Sequence, residues 1–296
     1  MVPLVEIYCF IDDFCKYFEL VEKQKCLPNP NRQRQRPCTL SLSEIMTIIV
    51  LFHLSHYRTF KDFYLESVCQ HMSSYFPRLV SYNRFIELMP HVLMPLAVLL
   101  HCCQGKETEK YYIDSTKLAV CHNLRIARHR VFQDLAKRGK TSTGWFFGFK
   151  LHLIFNDQGE LMTFKLTPGN VDDRKVVEEL TKHLQGWLFG DKGYISESLE
   201  NSLLKRGLRL FTRVKKNMKE RIINPVQQAF LNQRGIIETI IDQLKALCHI
   251  QHTRHRSPTN FLVNVLAGLF AYILKPKKVS VKFNHLNNLN PLLMSN

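Results

Sequence analysis

This chain is short of acid. Its 296 residues carry 25 Asp and Glu against 41 Lys and Arg, a formal charge of +16. The shortage deepens after position 200, where Glu220, Glu238 and Asp242 stand against sixteen Lys and Arg. Surface cations repel one another unless an anion offsets them, so the deficit points to a polyanionic partner, nucleic acid first and a membrane surface second. The longest apolar run near the C-terminal end, Phe261 to Leu274, is too short to span a bilayer and contains Asn264, so it is expected to be a buried helix and no membrane partner is expected. The opening MVPLVEIYCFIDDFCKYF lacks a basic start and is broken by Asp12 and Asp13, which argues against an export signal. Nine cysteines, an odd number, never take the Cys-x-x-Cys spacing that zinc prefers. Buried or idle thiols in a reducing cytosol are the expectation. Repeats and low-complexity segments are absent, and 45% apolar content excludes a disordered chain.

What is present divides into three zones. Residues 1–105 read as an all-helical domain, with Ser41 and Ser43 available as caps and a basic connector, PNPNRQRQRPC, before LSLSEIMTIIVLFHLSHY. Such helices suit a DNA-binding module and a plain packing domain equally. Residues 106–278 change texture to short strands. KYYIDSTKLAV and GWFFGFKLHLIFN alternate; in the latter Phe147, Phe149, Leu151, Leu153 and Phe155 share one face and Gly148, Lys150 and His152 the other, the pattern of a half-buried strand. GELMTFKLTPGN completes a meander, followed by a helix over 171–184, a strand ending at Asp191, a helix over 196–206, the strand LRLFTRV and a helix over 233–250. Three antiparallel strands and then crossover units give an α/β fold, a ribonuclease H-like mixed five-stranded sheet flanked by helices. Residues 279–296 are read as a tail.

Three carboxylates sit at element ends or centres in that topology. Asp114 lies in the first strand, Asp191 closes a buried strand beside Gly193, and Glu238 lies on the helix QRGIIETIIDQLKALCHI, whose Ile237, Ile240, Ile241, Leu244, Leu247 and Cys248 form the core-facing stripe. The first and fourth strands are neighbours there and the last helix crosses both, so the three residues can converge. Converging carboxylates repel unless a cation compensates, and hard oxygen donors select Mg²⁺ or Mn²⁺. Two such ions roughly 3.5 to 4 Å apart support in-line displacement at phosphorus. This gives Glu238 a reason to persist in a cationic region, with Arg234, Lys245 and His249 holding phosphate nearby.

These segments resemble the DDE transposases of bacterial insertion sequences, within the retroviral-integrase and ribonuclease H-like superfamily. YYIDSTKL resembles the first-Asp motif, GDKGY the second, and RGIIETIIDQLK the third, whose pattern is Tyr-x2-Arg-x3-Glu-x6-Lys. Arg234, Glu238 and Lys245 match it, and Leu231 takes the tyrosine position. LTPGNVDDR and HTRHRSPTNFLVNVLAGLFAYIL also resemble transposase segments, so the likeness covers residues 110–278. It implies catalytic and metal-holding roles for Asp114, Asp191 and Glu238. It also implies hydrolysis at element ends followed by 3′-hydroxyl strand transfer, partners in terminal inverted repeats and target double-stranded DNA, a homodimer or larger synaptic complex, and a place on the bacterial nucleoid in the cytoplasm.

Each residue has a plainer reading as well. Asp114 alone is a strand-edge residue, Asp191 a turn acid, and Glu238 one end of a solvated face with Lys245. Asp172 and Asp173 read as acids at a helix N-terminus. Lys150 and His152 are DNA-contact candidates or a solvated sheet face, Tyr194 a DNA contact or core, and Arg254 and Arg256 a phosphate site or a charged loop. A ribonuclease H-like nuclease without joining activity shares the carboxylates, and a DNA-binding protein without catalysis shares the charge.

Overall fold

The computed structural model describes residues 3–25, 38–142, 144–213, 224–251 and 255–281. The connector at 28–37, Arg254 and most of the 279–296 tail lie outside the described residues.

Apolar periodicity builds the N-terminal helices. Helix α1 (Leu4–Lys25) turns Ile7, Ile11 and Cys15 inward. Helix α2 (Leu42–Leu54) begins at Ser41, whose hydroxyl accepts the Glu44 N–H while the Glu44 carboxylate accepts the Ser41 N–H, a reciprocal cap. From Ile45 to Phe52 α2 is buried on every side, so it must be covered all round, by α1 and by the C-terminal helix. A helical run of α3 (Phe60–Asp62), a π-turn (Phe63–Val68) and α4 (Cys69–His71) follows. Another consists of α5 (Tyr82–Leu88), a 3₁₀ turn (Met89–Val92) and α6 (Leu93–Cys102). Pro90 and Pro95 fall in the first turns of the last two pieces, where a missing N–H costs little. The stretch Tyr82–Cys102 is long and apolar enough to cross a bilayer; here it is broken and lies against the C-terminal helix.

The sheet has six strands among the described residues: β1 (Lys110–Cys121), β2 (Lys137–Thr141), β3 (Gly144–Asn156), β4 (Leu161–Pro168), β5 (Gly186–Gly190) and β6 (Leu208–Thr212). Their order is β2-β3-β1-β5-β6, with β4 also on β3. Strands β1 to β4 pair antiparallel, whereas β5 runs parallel to β1 and to β6. The remaining helices are α7 (Val177–Leu180), α8 (Glu197–Leu204), α9 (Pro225–Asn232), α10 (Gly235–Ala246) and α11 (Pro258–Ile273). One face of the sheet presents Tyr112, Leu118, Leu151, Leu153 and Phe189 to α10 and α11, in a core continuous with α1, α2 and α6. The opposite face presents Tyr111, Ile113, Ile154 and Leu188 to Val177, Leu199 and Leu203 of α7 and α8. The fold is ribonuclease H-like, with a helical N-terminal region.

Three expectations need correction. The sheet has six strands, because the 13 residues of β3 accept β2 along Gly144–Gly148 and β4 along Phe149–Phe155; KRGKT lacks the apolar alternation that marks a strand. The helix expected over 171–184 is a 3₁₀ turn (Asp173–Val176) followed by the short α7, which ends where the Thr181 hydroxyl bonds back to the Val177 carbonyl and the chain heads for Gly186 at φ 103. Strand β3 is buried on both faces, His152 included, because α7 and α8 cover the side read as solvated.

Candidate active site

Strand register brings the first two carboxylates together. In the parallel β1–β5 ladder Tyr112 pairs with Phe189. Two residues further along each chain come Asp114, within β1, and Asp191, the first residue past β5. Asp191 caps a 3₁₀ turn (Lys192–Tyr194) through its backbone carbonyl, and its side chain makes no capping hydrogen bond. The turn role therefore leaves the carboxylate, which is exposed, available. Glu238 comes from α10, which packs on β1 through Ile237, Ile240, Ile241 and Leu244. It is exposed and paired at 2.5 Å with Arg234, one turn earlier, whose side chain is largely covered.

Electrostatics link the three. Burial pushes the Asp114 carboxyl up to about 6; the Ser115 N–H and the Arg234 guanidinium pull it back, and Asp191 and Glu238 push it further. Arg234 thus supplies part of the positive charge that the acids lack. Among the described residues, no three His, Cys, Asp or Glu side chains sit close enough to form a ready metal cage, in keeping with a Glu238 turned onto Arg234. The donor set is nonetheless all carboxylate oxygen, the chemistry that suits Mg²⁺ or Mn²⁺. Lys245 lies half-buried on the same helix. Burial and then Lys117 push its ammonium down, while Asp242 and Asp114 oppose them.

A polar network occupies the reverse face of β1. The Ser115 hydroxyl donates to Asp173 Oδ2 at 3.0 Å, and the Lys150 ammonium donates to Asp173 Oδ1 at 2.8 Å and to the Val171 carbonyl at 2.9 Å. His152 is 0% exposed, with Nε2 2.9 Å from Thr167 Oγ1 and Nδ1 3.9 Å from Asp173. Burial drives its imidazole down to about 4, against Asp173 and with help from Lys150 and Lys165. Tyr194 is also buried, and burial raises its hydroxyl well above the ordinary range, with Asp114 and Asp173 adding to the effect.

The expected site residues therefore separate by place. Asp191, Glu238, Arg234 and Lys245 each lie near enough to Asp114 to interact with it electrostatically, without the three acids forming a cage. Lys150 points into the reverse-face network. His152 and Tyr194 lie in the interior, where neither side chain can reach a DNA backbone without rearrangement. Arg256 is exposed near Tyr82, whose hydroxyl it pulls down against burial, and Arg254 is outside the described residues. His249 is half-buried at φ 46, its ring 6.2 Å from that of Phe52. Leu231, at the motif's tyrosine position, is buried. Asp172 caps the 3₁₀ turn through the Arg174 N–H as a helix-start acid does, whereas Asp173 turns away onto Lys150 and Ser115. Two features were missed: Asp173 as a network acid, and a basic segment in which seven Lys and Arg between 122 and 150 face Asp134 alone. That local excess was the signal that could have found it.

Among solved structures the chain is similar to the piggyBac transposase in a cryo-EM synaptic complex with hairpin DNA, at 12% identity and TM-score 0.48 over 95% of this chain and 78% of that one. No curated protein matches. The family model described as the transposase DDE domain matches residues 104–258, just over half of the chain and a span that holds β1 to β6, α10 and all three carboxylates. The chain belongs to the DDE transposase family.

Proposed function

We propose that this transposase hydrolyses a phosphodiester at the ends of its own element and then directs the freed 3′-hydroxyl into target DNA, with Asp114, Asp191 and Glu238 as its catalytic carboxylates. The family in general uses divalent metal ions. The observation that carries the assignment is the convergence of three elements: Asp114 and Asp191 each lie two residues past the paired Tyr112 and Phe189, and Glu238 is on the helix packed on β1, so that Asp191 and Glu238 both act on the half-buried Asp114. Carboxylates so arranged in a chain of +16 fit a cation and a phosphate better than they fit one another. One or two Mg²⁺ or Mn²⁺ ions bound by these oxygens supply Lewis acidity for in-line displacement at phosphorus.

The chain's own residues do the rest. Asp114 on β1 and Asp191 just past the parallel β5 provide a fixed pair of oxygen donors. Glu238 joins them by leaving Arg234, and the released guanidinium becomes free to hold a non-bridging phosphate oxygen. Lys245, close to Asp114 and Lys117, places a second cation on the backbone of the strand to be cut. Because the two ends of an element must be processed together, a homodimer or larger synaptic assembly on double-stranded DNA is the working unit.

The test is Mn²⁺-dependent nicking of a DNA fragment bearing the element's own end, compared between the native chain and Asp191→Asn. Equal nicking by the two rejects the site. Pre-cleaved ends offered with a target plasmid separate a transposase, which joins them, from a nuclease, which does not.

A further inference from the structure

Strands β2 and β3 form a cationic hairpin at one end of the sheet. Lys140 pairs across the ladder with Trp145, and Arg138 pairs with Phe147 beside it. The Arg138 guanidinium carbon lies 4.8 Å, and the Lys140 ammonium 5.6 Å, from the Trp145 ring centroid. The indole is nevertheless 50% exposed. Its backbone is held, because Asn123 Nδ2 donates to the Trp145 carbonyl at 2.9 Å. That bond ties the hairpin to a 3₁₀ turn (Asn123–Arg128) on which Arg125 and Arg128 are also exposed.

An open groove of about 490 Å³ runs beside the hairpin, lined by Arg138, Lys140, Trp145, Lys150, Arg174 and Gly193. It connects the indole to the loop that begins at Asp191. The carboxylates along it are already matched, Asp172 by Arg174 and Asp173 by Lys150, so the unmatched charge of the groove is that of Arg138 and Lys140. Its floor is a close approach of two backbones: a Cβ on Gly139 would stand 2.2 Å from the Gly169 carbonyl oxygen.

We propose that this groove binds an unpaired stretch of DNA, with one base stacked on Trp145 and its flanking phosphates held by Arg138 and Lys140. The inference rests on the DNA-processing reading above and adds a subsite to it. A duplex presents phosphates and base edges but hides the faces of its bases. An exposed indole rimmed by cations suits a nucleotide whose base is unstacked, because every base offers a π-face and the cations can swing from the ring to the adjacent phosphates. The groove extends from the indole to Gly193, in the loop that begins at Asp191.

The chain has only two tryptophans, so Trp187→Phe leaves Trp145 as the single indole reporter. A single-stranded oligonucleotide of about 12 nucleotides is expected to quench Trp145 emission as it binds, and heparin, a polyanion without bases, to bind without comparable quenching. In the otherwise native chain Trp145→Ala is expected to weaken oligonucleotide binding by about tenfold, and Trp145→Phe to restore most of it. This pair does not depend on how well Trp187→Phe folds. Equal quenching by heparin, oligonucleotide binding that leaves both the emission and the Trp145→Ala affinity unchanged, or no oligonucleotide binding at all would overturn the proposal. Nicking by native and Asp191→Asn chains is read separately. Intact nicking without stacking defeats this subsite alone, and stacking with Asp191-independent nicking defeats the catalytic assignment alone.

Discussion

His152 makes this fold sensitive to acid, and the size of the effect follows from its surroundings. In an unfolded chain an imidazole titrates near 6.5; in the native interior this one titrates at about 4. Above the higher value both states are neutral and the residue contributes no pH dependence. Between the two values the unfolded chain binds a proton that the folded chain refuses. Stability therefore falls as pH drops from 6.5 toward 4 and levels off below that. Integrated to about pH 5, the loss is about 2 kcal/mol. Asp173, 3.9 Å away, works against the loss, and Lys150, whose ammonium occupies Asp173, keeps it from being cancelled. His152→Gln keeps a hydrogen-bonding group near Thr167 and removes the titration. Urea denaturation at about pH 7 and about pH 5 should show the native chain losing about 2 kcal/mol more than the variant, since every other titrating group is common to both. Parallel pH profiles would refute the buried-neutral account. The same variant should bind duplex DNA within about twofold of the native chain, because a covered imidazole neutralises no phosphate.

Other outcomes follow from the same geometry. Glu238→Gln should cost at least the roughly 10–100-fold in nicking that even outer-shell partners of a metal site show, while leaving the urea midpoint nearly unchanged, because the ion pair it breaks is exposed on the glutamate side. Leu244→Ala, at a fully buried position on the core face of α10, should lower the free energy of unfolding by about 2–5 kcal/mol, measured by denaturation. Gly139→Ala should destabilise by about 1–3 kcal/mol through overpacking against the Gly169 carbonyl, and hydrogen exchange should rise in β2 before the rest of the sheet.

How far the sequence could be read depended on whether a signal was local. Strands β1, β3, β4, β5 and β6 and helices α2, α8 and α10 carry periodicity and caps within a few residues, and each can be located from the chain alone. Strand β2 cannot, because Lys137–Thr141 is extended only by virtue of the free edge of β3. The helix expected over 171–184 failed for a related reason: its length depended on the crossover to Gly186. Asp173 was legible as a helix-start acid and became something else because Lys150, 23 residues away, is held beside it by the sheet.

By itself the sequence determined the cationic excess, the order of the strands and helices other than β2, and the motif spacing in which Asp114, Asp191 and Glu238 stand, because charge, periodicity and motif are properties of neighbouring residues. Tertiary structure alone decided that Asp114 and Asp191 each follow by two residues a paired position of adjacent parallel strands, that His152 and Tyr194 lie in the interior, and that Trp145 stands exposed beside two cations. Those outcomes depend on which surfaces the helices cover and on strand register, and both are set only when distant segments pack.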